Sequence, residues 1–376
     1  MEIIADNKIP YLKGVLEPYA GVKYMDGKEI NREVVRDADG LIIRTRTKCD
    51  KDLLEGSKVK FIATATIGFD HIDTHYCEAN DIYWTNAPGC NSGSVYQYMA
   101  SVLINLSRQG RFHFSDKTLG IIGVGNVGKK VAHLGQILGM EVLLNDPPRE
   151  RREGSEEFVD FKTIIQKADI ITLHVPLIYE GNEKTYHLID SHVLNNLGTD
   201  KILINSSRGE VVDNYALKQS LITKKIKTAV LDVWENEPGI DRELLRHVAI
   251  GTPHIAGYSR DGKANGTAMS VRALSRFFKL GLEDWYPDNV EKPEHSEIRV
   301  NDNELIEVME KAILFTYDVK NDDRDLRGQV KDFEGLRGDY PVRREFHNFM
   351  VNAALLDRQT KVKLQKLGFN LKNEEK

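Results

Sequence analysis

The sequence predicts an α/β protein organised around a Rossmann-type, doubly wound parallel sheet, and three observations indicate this fold class. A short apolar run, Leu119–Ile122, is typical of a buried strand and leads into Gly123-x-Gly125-x-x-Gly128. A helical apolar pattern follows the glycines. The next apolar strand, Glu141–Asn145, ends in Asp146, 18 residues after Gly128, close to the ~20 at which an acid meets an adenosine ribose. Strand, glycines, helix, strand and acid together predict a dinucleotide-binding domain.

Each glycine of this motif has a physical role. Gly123 allows a tight turn, Gly125 lets a pyrophosphate approach the backbone, and Gly128 permits close packing of the helix on the strand. The helix that starts here presents unpaired N–H groups and the positive end of its dipole to phosphates.

Composition narrows the class of protein. A chain of 376 residues exceeds one ordinary core, so two or three domains are expected. With 41% hydrophobic residues, a net charge of -5 and no large basic block, neither nucleic acid nor a membrane is an expected partner. The first residues read as a strand and not as a signal peptide, and the three cysteines have no metal-type spacing. Reduced thiols, no metal site and a cytoplasmic location are therefore expected.

Residues 1–95 read as a small α/β domain of five strands, at Glu2–Ala5, Val22–Tyr24, Gly40–Arg44, Phe61–Thr66 and Ile82–Trp84. A long helix from Asn91 leads into the second domain. Its six near-continuous apolar strands predict a parallel sheet covered on both faces: Thr118–Ile122, Glu141–Asn145, Ile170–Val175, Lys201–Asn205, Thr228–Asp232 and Val248–Gly251.

The predicted domain boundaries follow from a helix that returns and from a linker. A helix over Gly262–Leu282 leads the chain back to the first domain, and the polar, proline-containing stretch Asp284–Pro293 reads as a linker. We therefore predict a substrate domain from 1–95 plus 263–289, a nucleotide domain from 96–262 and a small C-terminal domain from 290–376. In the last, helices are expected over Asn303–Ala312 and over Phe346–Leu356, whose apolar residues recur at helical spacing.

Three residues suited to 2-hydroxy acid chemistry follow three of the predicted strands. They are Arg208, Glu237 and His254, and ligands of such sheets bind outside the carboxyl ends of the strands. Arginine holds a carboxylate bidentately, histidine accepts a proton near neutral pH, and a carboxylate orients the imidazole. Taken singly, an arginine, a glutamate or a histidine is more often structural than catalytic. Three such residues that each follow a strand of one nucleotide-binding sheet favour an active site. His174, at another strand end, is expected to line the nucleotide site.

These motifs resemble the D-2-hydroxyacid dehydrogenase family from about Ile3 to Leu282. The family's motifs appear as Gly123–Gly128, His174–Leu177, Asn205–Gly209, Asp232–Pro238 and Thr252–His254. The resemblance implies that Arg208, Glu237 and His254 are catalytic and that NAD is the cofactor. The cofactor contacts it implies are Gly123, Gly125, Asn126, Val127, Gly128, Asp146, His174, Val175, Ser206, Ser207, Arg208, Asp232 and Gly257.

A narrower resemblance is to a branch of this family that oxidises 4-phospho-D-erythronate in pyridoxine 5'-phosphate synthesis. It rests on Arg44-Thr45-Arg46, Ala63–Asp73, Asp146–Arg149, Ile255–Ser259 and Asp339–Glu345. It implies a flavodoxin-like substrate domain and a C-terminal α+β domain that forms a homodimer. Its substrate contacts correspond to Thr45, Thr66 and Tyr258, and Val175 stands where some members have a threonine near the cofactor.

Arginines near the end of the third strand are candidates for a phosphate site. In extended chain Arg44 and Arg46 would point the same way and could meet one anion, although one of them could instead pair with a surface acid. At the ribose, Asp146 should repel a 2'-phosphate and favour NAD over NADP. Arg149, after two prolines, is expected to point away.

Two other functions remain open at this stage. One is a dehydrogenase for a different substrate, such as 3-phosphoglycerate. The other is a nucleotide-sensing binding protein, because the family includes transcriptional corepressors.

Overall fold

The computed structural model describes residues 1–154, 156–300 and 304–372. The chain forms two compact units: Met1–Asn91 with Ser259–Glu291, and Ser92–Tyr258 with Lys292–Lys376. Three domains are predicted from the sequence instead. In the structure the C-terminal segment groups with the nucleotide-binding sheet, because its apolar residues join that unit's core.

The first unit begins with a parallel five-stranded sheet. Its strands are β1 (Glu2–Asp6), β2 (Gly21–Met25), β3 (Gly40–Ile43), β4 (Phe61–Thr64) and β5 (Tyr83–Thr85), with helices α1 (Arg32–Val35), α2 (Lys51–Leu54) and α3 (Thr74–Ala79) between them. Every strand pair is parallel, and the order is β2-β1-β3-β4-β5. This is the flavodoxin-like order, whose direction reverses between β1 and β3.

The second unit starts with a long buried helix and a six-stranded parallel sheet. The helix is α4 (Ser92–Gly110), and the strands are β6 (Thr118–Ile122), β7 (Glu141–Asn145), β8 (Ile170–Leu173), β9 (Ile202–Asn205), β10 (Thr228–Leu231) and β11 (Ile250–Gly251). Their order is β11-β10-β9-β8-β6-β7, which is the doubly wound arrangement that the sequence predicts. The strands are nearly continuous apolar runs because helices bury both faces of the sheet.

Helices alternate with these strands and mostly begin after an aspartate. They are α5 (Asn126–Leu138), α6 (Pro147–Glu153), α7 (Phe161–Lys167), α8 (Ser191–Leu197), α9 (Asn214–Ile222) and α10 (Arg242–His247). The carboxylates of Asp160, Asp190, Asp213 and Asp241 accept hydrogen bonds from first-turn amides. Such N-caps satisfy otherwise unpaired N–H groups.

The chain then returns to the first unit as helix α11 (Arg260–Phe278), capped by the hydroxyl of Ser259. Gly266 lets this helix approach the sheet closely: a Cβ there would lie 2.7 Å from the carbonyl oxygen of Ala65. Val271 and Leu274 pack into the same core as Ile3 and Phe61. The N-terminal end of α11 is thereby fixed next to the carboxyl end of β4.

The C-terminal segment adds a small parallel sheet and four helices. They are β12 (Glu297–Arg299), α12 (Leu305–Thr316), α13 (Val319–Gly328), α14 (Phe333–Gly338), β13 (Met350–Asn352), α15 (Arg358–Leu367) and β14 (Asn370–Lys372), with sheet order β12-β13-β14. Asn303, the predicted start of the first helix, lies outside the described residues. Among the described residues, no helix is long and apolar enough to span a membrane.

The helix predicted over Phe346–Leu356 is wrong. A single 3-10 turn covers Phe346–Asn348, and β13 follows it. Phe346, Phe349 and Ala353 are buried all the same, because turn and strand turn them toward the core that α4 and α12 supply. The apolar residues do recur at helical spacing, but a 3-10 turn and a short strand bury them here, not a helix.

Candidate active site

Two glycines of the turn after β6, Gly123 and Gly128, leave no room for a side chain. Gly123 has φ +87°, and a Cβ there would lie 2.6 Å from the carbonyl oxygen of His174. At Gly128 a Cβ would lie 2.0 Å from the carbonyl oxygen of Gly123. Gly125 is the N-cap of α5 and supplies no side-chain cap. The first amides of α5 therefore remain directed at whatever anion approaches.

Asp146 stands at the end of β7 and ties the next helix to the glycine turn. Its Oδ2 accepts from the amide of Val124 at 2.8 Å, and its Oδ1 accepts from the amide of Arg149 at 3.1 Å. The expectation that Arg149 points away is wrong. Its Nη1 donates to the carbonyl of Val124 at 2.5 Å, and Glu153 binds the rest of the guanidinium, because α6 turns back toward the glycines.

Other predicted cofactor residues line the site with uncharged groups. Ser206 Oγ is buried and has no hydrogen-bond partner among the described residues. Burial lowers the pKa of His174 to about 3, so its ring is neutral, and it shares a hydrogen bond of 3.1 Å with Thr172. Val175 follows it without a side-chain donor. An orphaned hydroxyl, uncapped amides and open space at Gly125 fit a dinucleotide.

Glu237 and His254 form a direct pair. Nδ1 of His254 and Oε2 of Glu237 are 2.7 Å apart, and Oε1 of Glu237 accepts from the amide of Trp234 at 2.9 Å. Burial raises the pKa of Glu237, but the hydrogen bond and charge of His254, with further help from the Trp234 amide and the Arg337 charge, lower it below the ordinary value. A carboxylate at Nδ1 leaves Nε2 for proton transfer.

The backbone at His254 is held in an uncommon conformation. Its φ is +57°, a region that non-glycine residues rarely adopt. Its amide donates to the carbonyl of Asp232 at 2.7 Å. The carboxylate of Asp232, 1% exposed, accepts from the amides of Ile255 and Ala256 and from the hydroxyl of Thr252. Asp232 therefore fixes the loop that carries His254 and Gly257.

Arg208 lies after β9, beside the strand that precedes Glu237. Asn205 anchors the turn, because its side-chain amide donates to the carbonyl of Arg208 at 2.8 Å and its Oδ1 accepts from Ser207. Nη1 of Arg208 donates to the carbonyl of Ser207 at 2.9 Å. Because β9, β10 and β11 are parallel neighbours, the residues after them share one edge of the sheet. Arg208, Glu237 and His254 come from these three strands.

Side chains of the C-terminal segment hydrogen-bond to the loop that follows His254 at this edge of the sheet. The sequence did not predict these contacts. Arg343 is buried and donates to the carbonyls of Ser94, Ile255 and Ala256. Arg337, on α14, donates to the hydroxyl of Tyr258 at 3.1 Å, and its charge acts on Glu237. Arg343 lies within Asp339–Glu345, one of the motifs that carry the family resemblance, so a sequence signal for it existed. No sequence pattern distinguished Arg337.

The remaining predicted substrate residues lie in the first unit. Arg44 pairs with Asp6, at 3.1 Å from Nε to Oδ2, while Thr45 and Arg46 are exposed. The hydroxyl of Thr66 donates to the carbonyl of Gly68 at 2.9 Å and contacts Thr64 at 2.7 Å. Asp6 is fully buried and carried no sequence signal, so the partner of Arg44 could not be foreseen.

No set of three or more metal-ligating side chains occurs within the described parts of the chain. Cys49, Cys77 and Cys90 are buried thiols outside any disulfide in the described residues.

Comparison with known families and proteins identifies similar chains. The family model for the D-isomer specific 2-hydroxyacid dehydrogenase, NAD binding domain, matches residues 99–256, and a domain of unknown function matches residues 290–368. An erythronate-4-phosphate dehydrogenase of Bacteroides fragilis is 53% identical over 348 residues, covering 92% of this chain and 97% of the relative. One from Proteus mirabilis is 41% identical, covering 98% and 99%.

Solved structures share the fold over three quarters of the chain. D-lactate dehydrogenase from Aquifex aeolicus, complexed with NAD and lactic acid, superimposes with a TM-score of 0.64 at 26% identity, covering 75% of this chain and 97% of the other. An NAD-dependent formate dehydrogenase from Staphylococcus aureus, at 23% identity and a TM-score of 0.60, covers 74% and 96% and shows the fold alone.

Proposed function

This chain belongs to the erythronate-4-phosphate dehydrogenase branch of the D-isomer specific 2-hydroxyacid dehydrogenases, and we propose on that premise that it oxidises 4-phospho-D-erythronate. The product is (R)-3-hydroxy-2-oxo-4-phosphooxybutanoate, in a step of pyridoxine 5'-phosphate biosynthesis. The observation that carries the chemistry is the 2.7 Å pair of His254 and Glu237 at the edge of an NAD-type sheet.

Each residue of the proposed catalytic set has one task. Arg208 holds the substrate carboxylate with its planar fork. His254, through Nε2, takes the proton of the 2-hydroxyl as the carbonyl forms, and the charge of Glu237 stabilises the resulting imidazolium. Bound NAD would supply the acceptor for the hydride that leaves carbon 2.

The other residues have binding tasks in this proposal. The cofactor is held by the glycine turn with Asn126 and Val127 and by Asp146, His174, Val175, Ser206, Ser207, Asp232 and Gly257. Thr45, Thr66 and Tyr258 contact the substrate, and Arg44 and Arg46, on either side of Thr45 in sequence, are candidates for its phosphate. The fixed hydroxyl of Tyr258, which accepts from Arg337 at 3.1 Å, supports such a role. We also propose a cytoplasmic location, where buried thiols stay reduced.

An NADH absorbance assay tests the proposed substrate. The purified chain is given NAD with 4-phospho-D-erythronate, 3-phosphoglycerate or D-lactate at equal concentrations. The first substrate should have the highest kcat/KM. A higher value for 3-phosphoglycerate would assign a different dehydrogenase activity, and NAD binding without turnover of any of the three would favour a sensor.

Asp146→Asn is expected to weaken the preference for NAD. The substitution removes the negative charge that opposes a 2'-phosphate, while the amide oxygen can still cap α6. Because Arg149 lies next to this position rather than away from it, it can then attract the phosphate. The ratio of kcat/KM for NAD to that for NADP should fall roughly 10- to 100-fold.

The matched control is Glu150→Gln, which removes an acid from the exposed first turn of the same helix. It should leave the cofactor ratio within a few-fold of wild type. Equal use of NAD and NADP by the unaltered chain would contradict the role given to Asp146.

A homodimer formed through the C-terminal segment is the proposed assembly. Leu355 is 93% exposed, and Phe315, Val342 and Val362 of the same segment are 47%, 47% and 40% exposed. Large exposed apolar side chains mark interaction surfaces when they collect in one region. The buried stripe from Phe346 to Leu356 does not supply this surface, because it packs into its own chain.

Leu355→Asp should therefore convert a dimer into a monomer in multi-angle light scattering, because a charge buried in an apolar interface lacks a partner. Tyr215→Asp, at a site 69% exposed on α9, is the control and should remain dimeric. A dimer that persists in Leu355→Asp at low micromolar concentration would place the interface elsewhere. A point substitution is preferable to truncation, since Val308 and Met309 of this segment belong to the core.

A further inference from the structure

The loop from His254 to Tyr258 carries three residues that the proposed function uses, since Gly257 lies between these two. Ile255 and Ala256, also in this loop, are buried, and their side chains take no part in the proposed chemistry. Their backbone is therefore the support on which the base, the cofactor contact and the substrate contact all depend.

Two buried charged side chains bind this backbone, one through its amides and the other through its carbonyls. Asp232 accepts from the amides of Ile255 and Ala256 at 2.8 and 2.9 Å. Arg343 donates to the carbonyls of the same two residues, from Nη1 at 3.3 Å and from Nη2 at 2.7 Å. The carbonyl of Ile255 also accepts from the amide of Tyr258 at 2.8 Å, which closes the turn. Every backbone polar group of the two supporting residues is thus bound.

Arg343 is itself fixed to the start of α4. Its Nη2 also donates to the carbonyl of Ser94 at 2.6 Å. The two residues after it bind the same helix: the carbonyl of Arg344 accepts from Nε2 of Gln97 at 2.8 Å, and Oε1 of Glu345 accepts from the hydroxyl of Ser94 at 3.0 Å. The arginine therefore connects the loop to a long buried helix rather than to a mobile surface.

Tyrosines surround the charge of Arg343 in the interior. Its guanidinium carbon lies 4.2 Å from the ring centroid of Tyr317, and its Nη1 lies 3.5 Å from the hydroxyl of Tyr340. Both hydroxyls donate to Oδ2 of Asp322, at 2.6 and 2.9 Å. A buried cation thus reaches a carboxylate through two hydroxyls that come from the C-terminal segment itself.

Burial of this arginine is costly, so its geometry indicates what it does. Arg343 is 4% exposed, and its Nε has no hydrogen-bond partner among the described residues. For stability alone, well-packed apolar side chains often serve as well as a buried charge or better. A guanidinium, however, presents several N–H groups in one planar fork. It can therefore hold two carbonyls of the loop at a fixed distance from a third on α4, which favours a role in placing the loop.

We propose that Arg343 is a positioning residue of the proposed oxidation, and the inference rests on that function. By holding the two carbonyls it sets where His254 meets the substrate hydroxyl and where Tyr258 meets the substrate. Residues 290–368, which match a domain of unknown function, then have a task in the active site of their own chain, separate from any role in assembly.

The test uses the full chain with Arg343→Met and Arg343→Lys, and Arg327→Met is the control. Arg327, in the same segment, also donates to backbone carbonyls of the nucleotide-binding domain, those of Leu245 and Val248, at 2.6 and 3.0 Å. These carbonyls lie outside the loop. For each variant kcat and KM are measured with 4-phospho-D-erythronate well below the thermal unfolding midpoint. Hydrogen–deuterium exchange is followed by mass spectrometry without substrate.

Arg343→Met should lower kcat roughly 10²-fold, the loss that follows a displacement of about 1 Å, and should also raise KM, because both ends of the loop lose their support. Arg343→Lys keeps the charge but not the fork, so its kcat and KM should lie between those of Arg343→Met and wild type. In both variants exchange should accelerate in the peptide that contains residues 254–258.

Arg327→Met should accelerate exchange near residues 245–248 and leave kcat and KM within a few-fold of wild type. The change in KM distinguishes positioning from lost stability, since a smaller folded fraction lowers the apparent kcat at constant KM.

Near-normal kcat and KM in Arg343→Met would overturn the inference, and so would unchanged exchange of residues 254–258. A lower kcat at unchanged KM would also overturn it, because stability alone would then explain the loss. If Arg343→Met does not fold, Arg343→Lys decides by the same criteria.

The two proposals can fail separately. If wild type does not oxidise 4-phospho-D-erythronate, the proposed substrate is wrong, and the same comparison is made with whichever hydroxy acid it oxidises. If wild type oxidises 4-phospho-D-erythronate and the Arg343 variants resemble the Arg327→Met control, the positioning role alone is wrong.

Discussion

His254→Gln is expected to reduce kcat roughly 10²- to 10⁴-fold, the range for loss of a general base. Glutamine can still accept from or donate to Glu237, but it cannot take the hydroxyl proton. NAD affinity, measured by quenching of protein fluorescence, should stay close to wild type, because the loop around position 254 is held by Asp232 through the amides of Ile255 and Ala256.

The chain offers a matched control in a second histidine–carboxylate pair. Nε2 of His187 lies 2.8 Å from Oε1 of Glu235 in the same unit, and no step of the proposed reaction uses it. His187→Gln should retain kcat within a few-fold of wild type. Comparable losses in both variants would mean that His254 acts through the fold and not through proton transfer.

Arg208→Lys is expected to lower kcat/KM by roughly 10²-fold or more, although the charge is kept. A bidentate, charge-assisted contact is worth about 1.5–3 kcal/mol, and lysine replaces a planar fork by a single point of contact. The turn around position 208 depends on the side chain of Asn205, so the local backbone should persist. Steady-state kinetics with the phosphorylated substrate measure the loss.

Arg242→Lys, at an exposed position on α10, is the control for this substitution and should behave like wild type. Thermal unfolding of both variants verifies that folding is intact. An Arg208→Lys enzyme with near-normal kcat/KM would exclude this arginine as the carboxylate anchor and move the search to cations of the first unit.

The dinucleotide-binding domain could be predicted from the sequence because the residues that define it lie close together in the chain. The strand, the three glycines and Asp146 lie within 29 consecutive residues, from Thr118 to Asp146, and each obeys a steric or electrostatic rule of short range. The predicted strands Thr118–Ile122 and Glu141–Asn145 coincide with β6 and β7. Parallel strands buried on both faces are long apolar runs, which a single sequence displays clearly.

The structure of the C-terminal segment was harder to predict, because it depends on strands that are distant in sequence. Between Phe346 and Leu356 the apolar spacing fits a helix, yet the structure has a 3-10 turn and a strand. Apolar spacing shows which residues are buried, but over these eleven residues different backbone paths can bury the same side chains. The neighbouring strands β12 and β14 select the extended path, because they pair with β13 on both sides.

The sequence by itself determined the fold class, the cofactor motif and the three residues after the sheet's strands, since these follow from local geometry and the parallel arrangement. Only the tertiary structure decided which side chains meet. It placed Glu237 at 2.7 Å from His254, turned Arg149 toward Val124, paired Arg44 with Asp6, and directed Arg343 to the carbonyls of Ser94 and Ala256. Hydrogen bonds and buried charges depend on contacts between residues distant in sequence, and packing alone selects those contacts.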